Sequence, residues 1–135
     1  MEHRKMDPRE ADGLSGLALA HVGDAVYELY VRAALAGPCG AADLHRATVE
    51  RVCAPAQAAA MERLLPALTE EETGVYRRGR NANLRHIPHG ATAVEYARAT
   101  GLEALFGWLY LTGQEARADA LFRLTCVSDE KAADT

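Results

Sequence analysis

Along residues 14–36, "LSGLALAHVGDAVYELYVRAALA", apolar positions recur every three to four residues, which predicts a long helix that stops at "GPCG", where Gly37, Pro38 and Gly40 cannot continue it. Shorter helices are predicted over 42–53 and 56–65, with "APA" marking a break between them. Thr69 to Glu72, "TEEE", has the form of a capping box, with extra acids in the first turn where the helix dipole favours them, and opens a helix that ends near Arg80. A loop, "NANLRHIPHG", leads to a second long helix over 91–111, and an amphipathic helix over 114–126 follows Thr112 and Gly113. Alternating strand patterns are absent. The expectation is an all-α helical bundle in one domain, 1–135, with polar, flexible ends at about 1–12 and 127–135.

Two positions break this pattern. In the first long helix His21, Asp24, Glu28 and Arg32 follow one another at intervals of three, four and four, and so share a face. Glu28 and Arg32 read simply as an exposed ion pair. Asp24 does not, because Asp is a poor helix-interior residue and Gly23 beside it costs up to about 1 kcal/mol relative to Ala. The second long helix repeats the anomaly in "ATGLEALFGWLYL", where Glu103 is the one charged residue between Arg98 and Glu115 and is flanked by Gly101 and Gly107. An isolated carboxylate in an apolar stretch must pair with a cation, stay wet or hold its proton. Two of them invite a shared divalent metal, and Mg²⁺ suits a site of one or two carboxylates that keeps most of its water. The competing reading pairs each acid with an arginine or leaves it on a wet face.

Composition narrows the classes. Hydrophobic residues make up 49% and charged residues 25% of the chain, which is ordinary for a globular domain. No apolar run is long enough to span a membrane and the opening "MEHRKMDPREADG" is no signal peptide, so a cytoplasmic protein is expected. Cys39, Cys53 and Cys126 are odd in number and widely spaced, against a disulfide framework or a thiolate metal site. His86 and His89 lie in a loop without a partner pattern for zinc. Phosphate-loop and GxSxG motifs are missing. Tyr27, Tyr30 and Trp108 read as core or interface residues.

The net charge of −4 suggests no polyanion partner, yet "YRRGRNANLRHIPHG" carries Arg77, Arg78, Arg80 and Arg85 without a single acid. Cations in the last turn of a helix are stabilising with no ligand at all. Arg85 and the amides of Asn81 and Asn83 continue past that turn, a composition suited to phosphate and sugar contacts.

Taken in order, "GLALAHVGDAVYELYVR", "YRRGRNAN" and "ATGLEALFGWLYL" resemble the Mini-ribonuclease III family over roughly residues 14–125. The resemblance implies an all-helical, homodimeric endoribonuclease that cleaves double-stranded RNA with Mg²⁺, in maturation of the large-subunit (23S) ribosomal RNA precursor, with a large-subunit ribosomal protein as a candidate helper. It makes Asp24, in "VGDAV", and Glu103, in "EALFG", the metal-binding catalytic acids. The substrate contacts are then Arg77, Arg78, Arg80, Asn81, Asn83 and Arg85. Larger relatives carry further acids where this chain has Leu17, Ala20 and Thr100; these departures fit the short family, which has no double-stranded-RNA-binding domain. Thr100 is placed either to orient a water or to bond back to its own helix. Two other readings use the same residues: a catalytically silent helical module that binds RNA or the ribosome, and a protein-interaction adaptor.

Overall fold

A computed structural model describes residues 5–82 and 86–126 and contains, among them, seven α-helices, one short 3₁₀ turn and no strand. The helices are α1 (Pro8–Asp12), α2 (Gly16–Leu35), α3 (Leu44–Val52), α4 (Ala54–Leu64), α5 (Glu70–Arg80), α6 (Ala93–Leu111) and α7 (Glu115–Thr125). The all-α expectation holds, and each predicted helix is present to within a few residues.

The bundle is organised around α6, which packs against α2, α5, α4 and α7. Its residues from Ala99 to Leu109 are apolar on almost every side, and Leu102, Leu105, Phe106 and Leu109 are fully buried. A helix apolar all round belongs inside a fold. It starts at Thr92, whose hydroxyl accepts from the Glu95 N–H while the Glu95 side chain accepts from the Thr92 N–H. The same box, Thr69 with Glu72, starts α5 as predicted.

Glycines set how closely α6 meets its neighbours. A Cβ on Gly23 of α2 would lie 1.5 Å from the Glu103 carbonyl oxygen, and one on Gly107 would lie 2.1 Å from the Leu19 carbonyl oxygen. The two backbones therefore touch where α2 and α6 cross, and no larger residue fits at either position. Gly79 and Gly101 bring α5 and α6 together in the same way. The cost of glycine inside a helix is offset by close packing along α6.

Two expectations are corrected. "APA" does not break the chain: only Cys53 is extended, with φ −65° and ψ 154°, and Pro55 lies in the first turn of α4. A missing N–H costs nothing there. The opening of the chain is also not a loose polar end throughout 1–12. Asp7 and Glu10 form a capping box for α1, Ala11 is fully buried, and the Met6 N–H donates to the Leu111 carbonyl at 2.6 Å. Arg78 of α5 secures this turn, donating to the Asp12 carbonyl at 3.1 Å and to the Leu14 carbonyl. Residues 127–135 lie outside the described part of the chain.

A second polar lock ties α5 to α7. Glu72, 3% exposed, receives two hydrogen bonds of 2.8 Å from Arg117, which also donates to the Ala67 carbonyl at 2.7 Å. The Arg117 hydrogen bond, ahead of burial, holds the Glu72 carboxyl below its usual range.

Candidate active site

Asp24 follows Gly23 directly, so it sits at the edge of the α2–α6 crossing, on the exposed side of α2. The Glu103 carbonyl is the group that Gly23 touches, and the Glu103 side chain leaves α6 at that same edge. The crossing thus brings two carboxyls from distant parts of the sequence into hydrogen-bond contact. Burial first, and then the hydrogen bond and negative charge of Asp24, push the Glu103 carboxyl up to about 8. Neither acid has an arginine or lysine partner among the described residues. Glu28 behaves as its spacing predicts, pairing with Arg32 at 2.9 Å on the exposed surface.

One edge of the pair is open and the other faces a cavity of about 390 Å³, lined in part by Cys53, Pro55, Gln57, His89, Tyr96 and Glu103. Gln57 is 2% exposed, and its Nε2 has no hydrogen-bond partner. Its amide still bears on Glu103, favouring the charged carboxylate; it faces the carboxyl without reaching hydrogen-bond geometry. Neither Gln57 nor His89 stood out in the sequence as part of this site. The one available signal was that Gln57 is the single polar residue in "APAQAAAM".

The donor set suits a hard cation. Two carboxylates on an edge open to water match Mg²⁺, which keeps several waters, and the unpaired buried amide behind Glu103 offers a donor for a ligating carboxylate. A structural zinc site does not fit: no group of three or more His, Cys, Asp or Glu side chains is gathered among the described residues.

The structure divides the other candidates. Thr100 is buried and its hydroxyl donates to the Tyr96 carbonyl at 2.8 Å, so of its two readings the helix back-bond is the one formed. Arg77 is exposed, and its side chain makes no hydrogen bond or ion pair among the described residues. Arg80 lies over the Tyr76 ring, 5.7 Å from its centre, and donates to the Asn81 side chain at 3.2 Å. Arg78 is corrected: its guanidinium is committed to the carbonyls of Asp12 and Leu14 and to the Asp12 carboxylate at 3.9 Å, and serves the fold. Asn83 and Arg85 lie outside the described residues. Tyr27 and Trp108 are core residues, as read.

Residues 17–114 of this helical bundle match the ribonuclease III domain family. A Mini-ribonuclease 3 from Symbiobacterium thermophilum is 51% identical over 106 residues, covering 77% of this chain and 82% of the relative. The Mini-ribonuclease 3 of Enterococcus faecalis is 44% identical over 117 residues, with 84% and 89% covered. A solved structure from Fusobacterium nucleatum superposes with a TM-score of 0.80 at 28% identity, over 87% of this chain and 95% of that one. The chain belongs to the Mini-ribonuclease 3 family and is an endoribonuclease of the ribonuclease III type.

Proposed function

We propose that this protein hydrolyses phosphodiester bonds in double-stranded RNA at the Asp24–Glu103 pair, with Mg²⁺ held between the two carboxylates. The observation that carries the reading is the pair itself: two carboxyls in contact, without a cationic partner among the described residues, at a crossing of two buried helices that glycines hold at backbone contact. Such an arrangement is poor for stability and suited to binding a cation. When bound, Mg²⁺ supplies positive charge at the scissile phosphate and makes a water acidic at neutral pH. The protein's part is placement. Asp24 and Glu103 offer oxygens from two helices that glycines hold at backbone contact, and the raised Glu103 carboxyl would have to lose its proton for the pair to hold the ion.

RNA duplexes hide their major-groove base edges, so recognition rests on shape, phosphates and 2′-hydroxyls. Arg77, Arg80 and Asn81 at the end of α5 are the proposed phosphate contacts, with Asn83 and Arg85 continuing the same segment. Homodimer formation is supported by the outer face of α2, where Leu17 and Leu29 are 47% and 68% exposed and Ala25 and Ala33 lie between and beyond them. Gly23, which could have marked a subunit contact, faces α6 instead. Two sites related by a dimer axis give one cut per strand. The proposed substrate is the 23S ribosomal RNA precursor, in the cytoplasm, as the family likeness suggests. No helix among the described residues is long and apolar enough to cross a membrane.

Incubation with a long RNA duplex, with and without Mg²⁺, tests the activity: cleavage only with the ion is expected, and a shifted but intact duplex would mean a binding module. Unprocessed 23S precursor ends in cells lacking the protein would identify the substrate; normal ends would remove it.

A further inference from the structure

Gln57 is a buried amide in a helix that otherwise needs none. Its neighbours in α4, Ala58, Ala60 and Met61, are core residues, and an alanine or leucine at 57 would match their pattern. Only two buried side-chain polar atoms among the described residues lack a hydrogen-bond partner, the Gln57 Nε2 and the Trp108 Nε1. An unmet buried donor is costly, and a fold retains one where another state uses it. The Gln57 side chain lines the same cavity as Glu103 and bears on its carboxyl.

A carboxylate has about four lone-pair positions. If Glu103 holds a cation with Asp24, Gln57, which lines the same cavity, is the amide that can engage the remaining lone pairs of Glu103. Carboxylates that hold metals are themselves held by hydrogen bonds, and loss of such a donor weakens metal binding about 10–100-fold.

We propose that Gln57 is a positioning residue for Glu103: its Nε2 donates to the Glu103 oxygen turned away from the cation and holds the carboxylate in its ligating orientation. The inference rests on the reading of Asp24 and Glu103 as the cation pair, and adds a third helix, α4, to the site. Its geometric consequence is that the carboxylate is fixed from behind, so that α4 packing and ion binding are coupled.

The test is Mn²⁺ titration of the full chain without RNA, by calorimetry and by the loss of the free-ion electron paramagnetic resonance signal, for wild type, Gln57→Leu and Glu103→Gln. Gln57→Leu should weaken Mn²⁺ binding by about tenfold or more, while its ion-free melting temperature stays level or rises because the unmet donor is gone. Cleavage by the variant should show a lower kcat with an unchanged KM for RNA. A folded Gln57→Leu with wild-type Mn²⁺ affinity overturns the proposal, as does a lower melting temperature with affinity intact, which would make Gln57 a packing residue. If the leucine variant does not fold, Gln57→Met carries the same measurements. Glu103→Gln separates the two levels: if it keeps wild-type affinity the carboxylate pair is not the ion site, and if it loses affinity while Gln57→Leu does not, only the role of Gln57 fails.

Discussion

Glu72 and Glu103 are both glutamates on helices packed against the core, and their surroundings are opposite. Glu72 meets a guanidinium that grips both of its oxygens, which holds its carboxyl low and ties α5 to α7. Glu103 meets another carboxyl, which together with burial raises it to about 8. In the first case the protein supplies the counter-charge and gains cohesion. In the second no described residue supplies one, and that deficit is what the proposed cation site rests on. The difference shows that burial of an acid says little until its partner is known.

Breaking the functional half of this contrast has the largest expected effect. Asp24→Asn or Glu103→Gln should lower kcat on an RNA duplex by roughly 10³-fold or more. The helical circular dichroism should be unchanged and the ion-free melting temperature unchanged or higher, since two carboxyls no longer face each other. Near-wild-type turnover in either variant would place the chemistry elsewhere.

Breaking the structural half should move the other readout. Arg117→Ala leaves Glu72 charged and buried without its partner and should cost roughly 3 kcal/mol in chemical denaturation, at the low end for a buried pair because Arg117 itself is partly exposed. Turnover per folded molecule should hold. A fall in kcat larger than the loss of folded protein would mean that α7 supports the site as well.

Acidity separates the two glutamates with no mutation. A raised folded-state value means that Glu103 contributes stability at pH below about 4.5 that disappears as pH climbs through about 8. The ion-free protein should accordingly melt at progressively lower temperature between those values, and Glu103→Gln should flatten that slope. Glu72 acts in the reverse sense: its contribution is present above its ordinary value of 4.5 and is lost as pH falls through its depressed folded-state value. Mg²⁺ affinity should rise up to about pH 8, because the ion competes with the proton on Glu103. A melting temperature flat from pH 5 to 9 in wild type would contradict the raised Glu103 carboxyl.

The smallest effects are expected among the arginines, where the same division recurs within one helix turn. Replacing Arg77 and Arg80 with Ala should weaken binding to unrelated RNA duplexes and flatten the slope of log affinity against log salt by roughly 0.7–0.9 per lost contact. Arg78→Ala should instead lower the melting temperature and leave that slope alone, because its guanidinium binds the carbonyls of Asp12 and Leu14. An unchanged slope in the Arg77/Arg80 double variant would move the RNA surface to another face.

The helices were readable in advance because what starts and stops them is local. Thr69 with Glu72, Thr92 with Glu95, and Gly37 with Pro38 act over one turn of chain, and the apolar period of "ATGLEALFGWLYL" already marks a buried helix. The Asp7–Glu10 box at α1 is equally local, but the residues around it are polar and carry no apolar period to mark a helix. Asp24 and Glu103 stood out as charges in apolar helices, and Gly23 and Gly107 as glycines where alanine is the better helix former. Composition and spacing alone could not choose between an arginine partner and a second carboxylate for either acid. That choice depends on the angle and depth at which α2 crosses α6, set by backbone contacts at Gly23 and Gly107 between segments far apart in the chain. The same holds for Arg78, whose partner Leu14 lies 64 residues earlier, and for Gln57, whose polarity in a run of alanines has no period to betray its direction. Local propensity and capping decide which residues are helical, because they act within a few residues. Which side chains meet, and so whether a carboxylate becomes a strut or a ligand, is decided where helices from distant segments pack.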